Sequence, residues 1–118
     1  MPADDFLSFP PDTLVRDPLR LPFLARGEGW LALNKPVGVP WAPDPWIPRQ
    51  TDLVREVRRQ LRDGKPQLAR LGIGAFHGIV GPDLVASGAV LCATTDAEGA
   101  RLANALGSSQ VELTYRFV

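Results

Sequence analysis

A chain of 118 residues, 45% hydrophobic and 22% charged, can hold one small domain, and it has no stretch near the roughly 20 apolar residues that span a bilayer. The acidic start Met1-Pro2-Ala3-Asp4-Asp5 has no signal-peptide pattern, the single Cys92 excludes an internal disulfide, and one histidine leaves no metal cluster. These features describe a cytoplasmic protein with no membrane partner and no structural metal, and a formal net charge of zero counts mildly against a strong nucleic-acid binder.

Residues 1–22 are Pro-rich (Pro2, Pro10, Pro11, Pro18, Pro22) and read as a surface arm ahead of a domain over 23–118. Two short apolar runs, Phe23-Leu24-Ala25-Arg26 and Trp30-Leu31-Ala32-Leu33-Asn34, flank Gly27-Glu28-Gly29 and predict a β-hairpin. Five prolines then punctuate 35–50, which reads as a kinked loop carrying Trp41 and Trp46. A helix follows over about 52–63, capped by Thr51 and closed before Gly64. Leu53, Val54, Val57 and Leu61 form its apolar stripe, and Arg55, Arg58, Arg59 and Arg62 its opposite face. Between Arg49 and Arg70 there are seven basic residues against three acidic ones, a local surplus of four charges in a neutral chain.

Residues 71–88 are Gly-rich and read as irregular. Ala89-Val90-Leu91-Cys92-Ala93 is a continuous apolar run, as in a strand covered on both faces, and Cys92 within it should be inert. Thr95-Asp96-Ala97-Glu98 is a capping box for a second helix ending near Leu106. Val111, Leu113, Tyr115 and Phe117 alternate with polar residues, so the chain reaches Val118 with a strand pattern still running. The order predicts an α+β fold with a mixed, mostly antiparallel sheet and flanking helices, incomplete at its last strand. Its unpaired apolar edge would favour self-association.

In this order the pieces resemble the RluA-type RNA pseudouridine synthases. The second hairpin strand runs into Lys35-Pro36-Val37-Gly38, similar to the family's Lys-Pro-x-Gly loop. The family signature His-Arg-Leu-Asp-x-x-Thr-Ser-Gly is matched by Val80-Gly81-Pro82-Asp83-Leu84-Val85-Ala86-Ser87-Gly88, with the aspartate kept and Gly81 where the arginine stands. Aligning on Phe76-His77 instead keeps the histidine, puts Val80 at the aspartate and needs three extra residues before Ser87-Gly88. The ungapped alignment is preferred. Val111-Glu112-Leu113-Thr114-Tyr115 matches the strand that ends near Lys-x-Tyr, and the family's later basic motif would lie beyond Val118.

The resemblance implies a pseudouridine synthase-like fold and an isomerase that converts uridine to pseudouridine in structured RNA, rRNA or tRNA, without a cofactor. It implies Asp83 as the catalytic carboxylate and Tyr115 as a participant in proton removal at C5. RNA rather than DNA is the partner, met by Arg55, Arg58, Arg59, Arg62 and Lys35. An arginine restored at Gly81 would return the missing cation. Bland readings stand beside these. Gly81-Pro82-Asp83 is a turn sequence, Tyr115 lies on an apolar face, and the arginines can form a solvated face. Lys35 more readily orders its own loop, His77 is a loop histidine, and Trp41 and Trp46 plug a small core. The alternative function is a catalytically inactive relative that binds RNA or protein through the same scaffold.

Overall fold

A computed structural model describes residues 5–42, 51–82, 84, 86–107 and 116–117, with backbone only for 106, 107, 116 and 117. Among the described residues the elements are strands β1 (Phe6–Phe9), β2 (Leu19–Gly27) and β3 (Trp30–Lys35), helices α1 (Leu53–Arg62) and α2 (Pro66–Arg70), strands β4 (His77–Val80) and β5 (Ala86–Ala93), helix α3 (Asp96–Gly107) and strand β6 (Arg116–Phe117). The sheet runs β1-β2-β3-β5-β4, and β6 also pairs with β5. The fold is α+β, as the order of elements implied. Every pairing among the described strands is antiparallel, so the parallel component expected of a mixed sheet has no counterpart there.

The hairpin forms as the sequence predicts. Gly27 faces Trp30, Gly29 takes the positive φ (80°) that its turn needs, and a register shift between Phe23 and Ala25 leaves Leu24 exposed. Leu31 and Leu33 pair with Cys92 and Val90, and all four are fully buried or nearly so.

Helices α1 and α3 lie on opposite faces of this sheet. Gly78 pairs with Cys92, and a Cβ placed on it would meet the Val54 side chain of α1. His77 points to the other face, where its ring rests on Gly99 of α3. The α1 stripe of Leu53, Val54 and Val57 is buried as expected. The cap differs by one residue: Asp52, not Thr51, accepts from the Arg55 amide at 2.9 Å, while the Thr51 hydroxyl donates to Glu56. The Asp52 carboxylate can reach the Arg55 amide because its backbone is extended, with φ −140° and ψ 169°. In α3 the Thr95 hydroxyl caps the Glu98 amide at 3.1 Å, but the Glu98 side chain pairs forward with Arg101 rather than back to the cap.

Two sequence expectations are corrected. The Pro-rich lead-in is not a surface arm, since β1 pairs with β2 from Phe6–Pro22 to Phe9–Leu19, and Leu7, Phe9, Leu14 and Leu21 enter the core. Four residues between prolines and acids are too few for a period to register, yet alternation buries Leu7 and Phe9. The Gly-rich stretch is not irregular throughout, because it holds β4 and the start of β5. Of the expected strand over 111–117, Arg116 and Phe117 pair with Ser87 and Ala86, and 111–115 lie outside the described residues. Among the described residues no helix is long and apolar enough to cross a membrane.

If β1 belongs to the core, Leu7→Ala should cost about 2–5 kcal/mol in denaturant unfolding, as for other fully buried leucines. An unchanged midpoint would return residues 6–9 to the surface.

Candidate functional site

The antiparallel pairing of β3 with β5 carries Lys35 opposite Gly88. The chain leaving β3 therefore starts its loop beside the residues that enter β5. Two contacts fasten them: the Gly38 amide donates to the Leu84 carbonyl at 2.8 Å, and the Lys35 ammonium donates to the Ala86 carbonyl at 2.8 Å. Gly38 has φ 86°, a conformation that favours glycine and turns its amide toward Leu84. The Lys-Pro-x-Gly loop and the segment that carries Asp83 and Ser87-Gly88, about 50 residues apart in the chain, thus share one end of the sheet. Asp83 itself, like Tyr115 and Trp46, lies outside the described residues.

Lys35 is fully buried, and its ammonium also donates to its neighbour's carbonyl, Pro36 O, at 2.8 Å. Taking an ammonium out of water is costly unless its donors are used, and here they hold two backbone segments together. Lys35 offers no surface to a phosphate, so its assignment as a direct RNA contact is withdrawn. Its ordering of the Pro36 loop is what the geometry supports.

Beyond this loop Pro40 and Trp41 anchor α1. Their carbonyls accept from the amides of Leu53 (2.9 Å) and Val54 (3.2 Å), which leaves the helix N-terminus satisfied. The Trp41 indole is half-buried against the core and lies across two glycines. A Cβ on Gly81 would sit 2.8 Å from its Cε2 and Nε1, and one on Gly78 would sit 2.9 Å from its Cζ3. Both distances are below what real Cβ atoms tolerate, so these glycines are a seat for the indole. Gly81 is also the position that the resemblance aligns with an arginine. No side chain can return there while Trp41 holds its place, which corrects the expectation that an arginine at 81 simply restores a cation.

The basic face of α1 is largely spent inside the molecule. Arg55 Nε lies 3.0 Å from Asp52 Oδ2. Arg59 makes two bonds to Glu56 Oε2, at 3.0 and 2.7 Å, and this hydrogen-bonded carboxylate raises the Arg59 pKa above its ordinary value. Arg58 crosses the edge of β4: its Nε donates to the Phe76 carbonyl at 2.9 Å and its Nη2 to His77 Nδ1 at 3.3 Å. A guanidinium can only donate, so Nδ1 accepts from Arg58, and Nε2–H donates to Asp96 Oδ1 at 2.6 Å. His77 is a strand residue, not a loop histidine, and both its ring nitrogens have partners. Arg62 is exposed and makes no ion pair or hydrogen bond among the described residues. Of the four arginines it alone is uncommitted there.

Cys92 is buried, and desolvation pushes its thiol well above the ordinary range, as an inert core cysteine requires. Among the described residues no group of histidine, cysteine and carboxylate side chains could hold a metal ion. The sequence reading missed the seating of Trp41, although Gly78 and Gly81, three apart beside a tryptophan-bearing loop, were the available signal.

The seat has a measurable consequence. Gly81→Ala should lower stability by about 1–3 kcal/mol, and the loss should shrink in a Trp41→Ala background, because the clash is with the indole. Additive losses in a denaturant-unfolding cycle of the four proteins would remove the contact from the account.

Comparison with protein-family models, with curated proteins and with solved structures gives no match for this chain.

Proposed function

We propose that this chain is an RluA-type RNA pseudouridine synthase-like protein that isomerises uridine to pseudouridine in structured RNA, rRNA or tRNA, through the carboxylate of Asp83. One observation carries the reading. The two motifs that resemble the family, Lys35-Pro36-Val37-Gly38 and the Asp83-to-Gly88 segment, are hydrogen-bonded to each other through Gly38 and Leu84 and through Lys35 and Ala86. A chance resemblance spread along a sequence gives no reason for its parts to meet.

The chemistry breaks the N1–C1′ bond of uridine, turns the base over and joins C5 to C1′. C5 loses a proton and N1 gains one, so nothing is oxidised or reduced and no cofactor is required. Asp83 acts as the nucleophile at C1′ or as the base at C2′, and either role needs an ionised carboxylate. Tyr115 assists proton removal at C5. The RNA backbone meets the exposed side of α1, with Arg62 as the cation not already bonded within the described fold.

A second reading, a catalytically inactive relative that binds RNA or protein, has its own support. Trp41 occupies the space above Gly81, the position where the family carries arginine.

Release of tritium from RNA labelled at uridine C5 separates the two. The enzyme reading expects release that Asp83→Asn abolishes, with fold and RNA affinity retained, since the amide keeps the shape and loses the charge. Persistent release in that variant sinks the assignment of Asp83. No release from any RNA, with salt-dependent RNA binding intact, supports the inactive relative. In either case Arg62→Glu should weaken binding to all sequences and reduce its salt slope by about 1.

A further inference from the structure

Strand β1 ends the described sheet, and apart from its shortness its sequence carries none of the usual protections of an edge. Phe6-Leu7-Ser8-Phe9 has no charge and no internal proline. Its register fixes which groups face outward. The Phe23 amide donates to the Asp5 carbonyl at 3.0 Å, so odd-numbered residues bond to β2, and Phe6 and Ser8 turn their amide and carbonyl groups to the open side. Pro22, which has no amide proton, sits opposite Phe6 and agrees with this phase.

The outward carbonyls are nevertheless occupied. Gln67 Nε2 of α2 donates to Phe6 O at 3.0 Å. Ser8 O accepts from Gln60 Nε2 of α1 at 3.0 Å and from Lys65 Nζ at 2.8 Å. The remaining polar atoms of these side chains close on one another. The Ser8 hydroxyl donates to Gln67 Oε1 at 3.0 Å and accepts from Lys65 at 2.9 Å, and Lys65 reaches Gln60 Oε1 at 3.2 Å. Gln60 is buried, and Lys65 is desolvated enough that its pKa is lowered. Burying an amide and part of an ammonium over an edge strand has a cost, and the network offsets it only because every partner is present.

We propose that Gln60, Lys65 and Gln67 are an edge lock: they hold the outward carbonyls of β1 and so prevent a second copy of this chain from adding its own β1 to the sheet. A second copy is the occupant that the strand itself selects. Phe6–Phe9 is short, uncharged and apolar at alternate positions, so two such edges can pair antiparallel with no buried charge. The same carbonyls that the lock holds are the acceptors such pairing would use.

The test is Gln60→Met, Lys65→Met and Gln67→Met together in the 118-residue chain. Methionine is close to glutamine and lysine in length and packing and removes all three donors. The triple variant should dimerise with rising concentration in sedimentation, and its Phe6 and Ser8 amides should exchange at least about tenfold more slowly in the dimer than in the dilute monomer. In the parent chain those two amides should show no protection that grows with concentration. Three outcomes overturn the proposal: a triple variant that folds and stays monomeric, a dimer that leaves Phe6 and Ser8 unprotected, or a parent chain that itself pairs through them. Should the triple variant not fold, Gln67→Met alone, on the more exposed α2, frees Phe6 O and is read by the same two measurements.

Discussion

Strands β3 and β5 pair through an unbroken register from Trp30 opposite Ala93 to Lys35 opposite Gly88. A slip of β3 by one residue would turn Leu31 and Leu33 away from Cys92 and Val90 and take Lys35 out of its buried place. The register is thus over-determined by four apolar residues, and it has a dependent charge at its end. Lys35 is tolerated in the interior because the same pairing delivers the Ala86 carbonyl to its ammonium. Lysine, and not an apolar residue, ties the loop over 35–38 to the chain entering β5. The two described segments that resemble a functional motif sit at this corner, held there by the central pair of strands together with the Gly38–Leu84 bond.

Charge in this molecule is used first for cohesion. Arg58, His77 and Asp96 bridge α1, β4 and α3 around the edge of the sheet, joining layers that the core cannot join directly because the strands lie between them. Asp96 is largely exposed, so its contribution is small, and the bond from Arg58 to the Phe76 carbonyl is the better-shielded part of the bridge. Arg55 and Arg59 answer acids one helical turn away. A row of arginines that looks like a binding face in sequence is, in the fold, a set of separate internal bonds with one uncommitted member. The local surplus of four charges still draws a polyanion from a distance, since ion pairing does not change net charge. What it restrains is the freedom of Arg55, Arg58 and Arg59 to reorient onto a phosphate.

The parts of the fold legible in the sequence are those set by local periodicity. The 23–34 hairpin, α1, α3 and the apolar strand at 89–93 all follow from spacing and caps. Of the elements missed, α2 is a single short helix of five residues, and β1 and β4 have four residues each, their strand character coming from partners elsewhere: Leu19–Pro22 for one and β5 for the other. His-Gly-Ile-Val carries a glycine that weakens any strand signal, and that glycine is there for Trp41 and Val54. The exchange of Thr51 for Asp52 at the cap is a contest between adjacent good caps, which composition cannot decide. Arginine side chains were the least legible of all. Whether Arg58 meets RNA or Phe76 depends on a strand that the Gly-rich segment conceals.

Trp41 and Gly81 bring these strands of reasoning to one point. The resemblance puts a guanidinium at position 81, two residues before the aspartate, where it would favour an ionised carboxylate. The fold puts an indole over that position, braced by Gly78 and tied to α1 through the Trp41 carbonyl. An indole supplies no positive charge and displaces water, and both effects make a nearby carboxylate harder to keep ionised. An active Asp83 would then need its cation from another quarter. The buried ammonium of Lys35, fixed on the carbonyl of Ala86, is a cation that the described fold bonds to that segment. The two functional readings therefore differ less in architecture than in electrostatics. They agree on the paired loops and the braced indole, and they part on whether this corner of the sheet keeps a carboxylate charged.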